Sequence, residues 1–248
     1  HESSGKITNT IIRNNTTSND AAAGWINTGY AYFKNVTITN NTLMDGRNLL
    51  RFDSTPSGDT VVVNNTTFIN NNLGSDGYAL NIGWGSNVKI INSSFDEGQI
   101  NIDGTDNFCV GTILYSNVPG GNDSIYSPGD LSNFTWGTGN IGVDPMFVDT
   151  ANGNYHLLAS SQLINAGRPD STDSDGTIAD IGAYPYLNNY SGDNGWHVSN
   201  NGSDETGDGD GGAPFASIQA GINFAEDGDS VTVMVGTYVE NINFRGRN

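Results

Sequence analysis

Between residues 5 and 118 apolar and polar residues alternate in short runs, as at Val36 and Ile38 or Val61 and Val63, and each run ends at Asn or Gly. Alternation with period two marks half-buried strands, not helices. Four segments share one template, apolar-x-Asn-x-x-apolar: ITNTIIRNN from Ile7, ITNNTLMDG from Ile38, VNNTTFINN from Val63 and IINSSFDEG from Ile90. Its Asn falls at Asn9, Asn40, Asn65 and Asn92, spaced by 31, 25 and 27 residues, and its second apolar position at Ile12, Leu43, Phe68 and Phe95. A fifth copy, VGTILYSN from Val110, keeps Leu114 but places Gly111 where the Asn belongs.

A period in this range means stacked structural repeats. The tight two-residue Asn-Gly turns of hairpins are missing, so the pattern predicts coils of short strands and bends. Stacked coils pair each strand in parallel with its equivalent one turn later, about 4.8 Å along the axis. Aligned Asn amides then hydrogen-bond up the stack, which accounts for an amide recurring at one bend. An antiparallel β-sandwich with Asn-rich turns is the alternative reading of the same pattern.

Composition narrows the picture. Of 248 residues, 35 are Asn and 33 Gly, and only 15% are charged, so helix interiors are disfavoured throughout. Nine basic residues against 27 acidic leave a net charge of −18, which repels nucleic acid and anionic lipid. No run approaches eighteen apolar residues, so membrane insertion by a helix is not expected. The single Cys109 permits no internal disulfide. The opening HESSGK carries no export signal, so one is expected to be removed or to lie outside the chain. An acidic, Lys-poor, Asn-rich and sequon-rich chain points to an extracellular or cell-surface protein.

The N-x-x-[ILF] coils over residues 5–118 resemble the right-handed parallel β-helix repeats of the pectin-lyase-like superfamily. The resemblance implies an all-β right-handed parallel β-helix, with coils over 1–139. Residues 140–190 are similar to the segment that closes many β-helix surface proteins. That likeness rests on Asp144, Pro145, Phe147 and Asp149, on Tyr155, His156 and Leu157, and on Asp180, Gly182, Ala183 and Tyr184. Residues 191–248 look like the beginning of such a fold, with a Trp-x-Val-Ser strand, a Gly/Asp loop, a short capping helix near 215–225 and a first coil. The helix also follows from the residues themselves, because Phe215, Ile218 and Ile222 lie at i, i+3 and i+7. Gly228-Asp229 ends it before the alternating Val231, Val233 and Val235. The order resembles a permuted repeat unit and predicts copies running head to tail as a filament or surface fibre, with Trp196, Phe215, Ile218, Ile222, Val231, Val233 and Val235 at the joint.

The superfamily includes polysaccharide lyases and hydrolases, yet no catalytic residue is expected here. The basic residues nearest to a cluster are Arg47 and Arg51 with Asp53, which read as a surface ion pair, and His156 lies in a strand pattern. Asp103 and Asp106 fit turn-forming roles better than a hydrolytic pair. Ca²⁺ is the one cofactor the pattern points to. Asp173, Asp175 and Asp180 around Gly176, and Asp204, Asp208 and Asp210 in a Gly-rich loop, supply hard oxygens, with plain Asx turns as the alternative. Sequons offer glycosylation candidates at Asn14, Asn35, Asn64, Asn122, Asn133, Asn189 and Asn201. Trp25, Trp84 and Trp136 fall on loops or edges where they could stack on sugars, so a polysaccharide-binding stalk is the second functional expectation.

Overall fold

The computed structural model describes residues 3–27, 29–45, 47–55, 59–96, 99–102, 109–127, 133–188, 190 and 195–245. Asn189, Asp103, Asp106 and His1 lie outside them. The chain divides into two compact units. The first holds His1–Val143 with Ala166–Arg168 and Ile181–Ala183; the second holds Asp144–Asn165, Pro169–Asp180 and Tyr184–Asn248.

The first unit is a parallel β-solenoid of about four turns. Its long sheet runs β1 (Ser3–Arg13), β4 (Gly29–Thr39), β7 (Val61–Ile69), β9 (Asn87–Ile91), β12 (Val110–Leu114) and β14 (Phe134–Trp136), with β10 (Ser94–Phe95) also on β7. A second sheet stacks β3 (Gly24–Asn27), β6 (Asn48–Asp53), β8 (Tyr78–Ile82), β11 (Gln99–Ile102) and β13 (Ile125–Tyr126). Two-residue strands β2 (Thr16–Thr17) and β5 (Thr42–Leu43) pair at a corner. All these pairings are parallel, as coils require and a sandwich does not.

Inward positions of both sheets fill one core. Phe33, Ile38, Val63, Phe68 and Ile90 come from the long sheet, and Leu50, Phe52, Leu80, Ile82 and Ile100 from the other, each at most 1% exposed. Equivalent residues stack on one another. Phe68 and Phe95 occupy paired positions, with ring centroids 4.5 Å apart and planes 10° off parallel.

The bends explain the asparagines. Asn9, Asn35, Asn65 and Asn92 all have φ between 45° and 53°, the left-handed region that Asn enters more readily than other side-chain-bearing residues. A second bend five residues later repeats this at Asn14, Asn40 and Asn70, with φ of 53° to 59°. Because Ile7 pairs with Phe33 and Ile12 with Ile38, the ladder expected at Asn9, Asn40, Asn65 and Asn92 runs instead through Asn35. Asn35 Nδ2 donates to Asn9 Oδ1 at 3.0 Å, while Asn40 belongs to the second bend. The template fits either bend, since both carry Asn; only the sheet register separates them. The fifth copy shifts likewise: Gly111 pairs with Val88, and Tyr115, with φ of 47°, stands at the bend. A Cβ on Gly111 would sit 2.9 Å from the Phe134 ring, so glycine is required by close approach.

The residue after each bend joins the coils. Asn41 Oδ1 accepts from the Asn15 backbone N–H at 3.0 Å and from its Nδ2 at 2.9 Å. Asn41 Nδ2 donates to Ile12 O, Thr39 O and Asn71 Oδ1 at 3.0–3.1 Å. Asn71 repeats the arrangement, accepting from the Asn41 N–H and donating to Ile38 O and Ile69 O. At the first bend Ser93 Oγ, Ser116 Oγ and Asn140 Oδ1 accept the N–H of Thr66, Ser93 and Ser116 in turn. Short segments of the later chain close on this bend: Arg168 N–H donates to Asn92 Oδ1 at 2.8 Å and Gly182 N–H to Asn92 O at 2.8 Å.

In the second unit, β15 (Phe147–Asp149) pairs antiparallel with β16 (Asn154–Leu157), and β17 (Gly195–Val198) pairs parallel with β18 (Ser230–Val233). The one α-helix among the described residues, α1 (Ile218–Phe224), falls inside the expected 215–225. Ser217 Oγ caps it by accepting the Ala220 N–H at 3.2 Å, and the Glu240 carboxylate accepts the Ile218 and Gln219 N–H groups at 2.8 and 2.9 Å. Phe215, Phe224, Trp196 and Tyr186 pack as an aromatic cluster with centroids 5.2–6.1 Å apart. Asn223, fully buried, donates to Ala159 O and Ser161 O at 2.9 and 2.8 Å, tying the helix to the segment after β16.

Candidate binding groove and apolar strip

On the second sheet, residues between inward apolar neighbours face outward and align in register. Trp25 pairs with Arg51, Arg51 with Asn81, Asn81 with Asn101 and Asn101 with Tyr126. From Arg51 to Tyr126 this row floors a cavity of about 730 Å³, while Trp25, next in line, lies beyond it and borders a smaller cavity with Ile7 and Tyr30. The walls of the larger cavity add Asp20, Asp45, Arg47, Asn48, Asp76 and Tyr78. Asn48 and Asn81, 4% and 5% exposed, lie at its bottom.

Charge pairing fixes one end of the row. Arg51 Nε meets Asp53 Oδ2 at 2.8 Å and its NH1 meets Asp20 Oδ2 at 2.9 Å, so the expected Arg51–Asp53 pair is present with Asp20 as a third member. The guanidinium lies 5.2 Å from the Trp25 ring centroid, and Trp25 Nε1 donates to Asp53 Oδ2 at 2.7 Å. Trp25 is thus pinned on its edge while 54% of its surface stays exposed. At the other end Tyr78 and Tyr126 stack with centroids 5.6 Å apart. Burial, then the neighbouring Tyr126, raises the Tyr78 hydroxyl pKa above its ordinary value. Asp20 Oδ1 accepts from Asn48 Nδ2 at 3.3 Å, which turns Asn48 Oδ1 away from it; that oxygen and Asn101 Oδ1 have no hydrogen-bond partner among the described residues.

From the end of β18 onward the second unit exposes a series of apolar side chains. Val235 and Val239 are fully exposed, Phe244 is 64% and Met234 55% exposed, and Val233 and Ile242 lie near 40%. Of the residues expected at a joint, Phe215 and Ile222 are buried in the module's own core, Trp196, Ile218 and Val231 are half-buried, and Val233 and Val235 face outward. A cavity of about 730 Å³ between His156, Tyr186, Tyr190 and the Glu205–Asp208 loop is lined by groups that bond each other. Tyr186 Oη donates to Gly207 O and Asn188 Nδ2 to Asp208 O.

Each acidic loop turns its carboxylates onto backbone N–H groups. Asp173 Oδ2 accepts from Asp180 N–H, Asp175 Oδ1 from Thr177 N–H, and the Asp180 oxygens from Asn165 and Tyr186 N–H. Asp204 Oδ1 accepts from Ala216 and Ser217, Asp208 Oδ1 from Asp210, and Asp210 Oδ1 from Gly212. Among the described residues no group of three or more His, Cys, Asp or Glu side chains is placed to hold a metal ion. Asp180 is 1% exposed, and desolvation pushes its pKa up to about 8 despite its two N–H donors.

The glycosylation candidates divide by exposure. Asn14, Asn122, Asn133 and Asn201 are exposed, whereas Asn35 and Asn64 are half-buried and Asn35 holds the ladder. Trp84 is 60% exposed at a turn, Trp136 is partly buried on β14, and the His156 ring lies tilted against Tyr184 with centroids 4.9 Å apart. Sequence reading missed Asn48, Asn81, Asn101, Tyr78 and Tyr126. Asn81 and Asn101 carried a signal as the outward residues of LNI and INI, legible once those triplets are put in register with LRF. Comparison of the chain with protein-family models, curated proteins and solved structures finds no match.

Proposed function

We propose that this chain is an extracellular structural unit of a surface fibre, built as a β-solenoid of the pectin-lyase-like kind and associating end to end with copies of itself. The observation that carries the reading is the run of exposed apolar residues Val233, Val235, Val239, Ile242 and Phe244, a concentration that favours burial against a partner. In a continuing solenoid these residues meet the next coil. The matching face is the outer edge of β1, where Ile7 and Ile12 touch the core from one side and Ile11 is exposed. Sedimentation and electron microscopy of purified protein test it. Filaments or concentration-dependent oligomers that Val235→Asp with Val239→Asp abolishes support the reading; a monomer at high concentration refutes it. Repeating the assay with EDTA decides whether Ca²⁺ in the acidic loops contributes.

A second reading, a saccharide-binding stalk, is favoured by the row from Trp25 to Tyr126. It combines exposed aromatic surface at both ends with amides between them, the composition that sugar faces and hydroxyls recognise.

A further inference from the structure

Resting on the saccharide-binding reading, we propose that the groove on the second sheet takes an uncharged, hydroxyl-rich glycan strand lying along the solenoid axis, and rejects uronate polymers. The length comes from register. Five aligned positions, the four from Arg51 to Tyr126 in the cavity and Trp25 next in line beyond it, are four steps of about 4.8 Å, roughly 19 Å, enough for about four pyranose residues.

The class comes from what the groove lacks. Asn48 Oδ1 and Asn101 Oδ1 are acceptors with no donor among the described residues, and Asn48 is 4% exposed. The amide side chains of Asn48, Asn81 and Asn101 line the cavity and call for a ligand that can both donate and accept. A hydroxyl both donates and accepts, whereas an ionised carboxylate only accepts. Charge points the same way: Asp20, Asp45, Asp53 and Asp76 stand in or beside the groove against Arg47 and Arg51. Arg51 is already shared between Asp20 and Asp53, which leaves little to attract a polyanion. Trp25, pinned through Nε1 yet exposed, offers a rigid face for one sugar ring.

The test uses the full chain on an array of neutral glucan, mannan and galactan oligosaccharides beside polygalacturonate and alginate fragments of equal length, with calorimetric titration of the tightest binder. A neutral tetrasaccharide is expected to bind about tenfold or more tighter than its uronate counterpart at low salt. Trp25→Ala and Asn101→Ala, each checked for an unchanged circular dichroism spectrum, should each lose about tenfold in affinity. Asp45→Asn with Asp76→Asn should narrow the ratio of neutral to uronate affinity, by raising uronate binding. Uronate binding as tight as neutral binding overturns the class and leaves the groove standing. Neutral binding indifferent to Trp25→Ala and Asn101→Ala overturns the site. No binding to any glycan overturns the saccharide reading and this inference together.

Discussion

Replacing Asn41 by Ala tests how the coils are held at their corners. The side chain is fully buried and bridges three coils. Ala removes the acceptor used by the Asn15 N–H and the donor used by Ile12 O, Thr39 O and Asn71 Oδ1. The Asn15 side is exposed, so water replaces what it loses. Thr39 and Asn71 are 1% and 6% exposed, and water does not reach them. Asn71 Oδ1 keeps the Asn41 backbone N–H, so the main cost falls on the buried Thr39 carbonyl, with an expected loss of about 2–3 kcal/mol. Asn15→Ala, at the exposed end of the same ladder, should cost about 1 kcal/mol or less. Urea denaturation of both variants measures the difference. If Asn41→Ala costs no more than Asn15→Ala, the amide ladder is ornament on a fold held by its apolar core alone.

Phe68→Ala should destabilise the solenoid by about 3–5 kcal/mol in thermal melts, because it opens a cavity against Phe95. Asp180 gives a pH signature. Its folded pKa near 8 exceeds the unfolded value, so the native state holds the extra proton and stability falls as pH rises from about 4 to 8. Asp180→Asn should therefore gain on wild type across that window, by at most about 5 kcal/mol at pH 8; a pH-independent difference refutes the burial argument. Gly83→Ala places a Cβ 2.3 Å from Asp53 Oδ1 and should disturb the Trp25–Asp53–Arg51 cluster, read as a change in Trp25 fluorescence with little loss of melting temperature.

Coils, parallel strands and the capping helix were legible because alternation and the i, i+3, i+7 pattern are local. Ladder membership was not. Asn at two bends five residues apart fits one template in two registers, and hydrogen bonds between strands choose between them. The same holds for the groove. Arg51, Asn81 and Asn101 are separated by 30 and 20 residues and become neighbours only through unequal loops. In the acidic loops the spacing of aspartates fits a cation or Asx turns alike, and the N–H groups that their oxygens accept from are set by the folded backbone.

The corner ladder has a direction. Each coil's side chain covers the backbone of the coil before it, as Asn41 covers Asn15 and Asn71 covers Asn41, in the manner of overlapping roof tiles. A middle coil gives to one neighbour what it receives from the other, so duplicating or deleting it leaves the remaining contacts in kind unchanged. Length then becomes a parameter that evolution can adjust one coil at a time, away from the coils on which the Arg168 and Gly182 segments close.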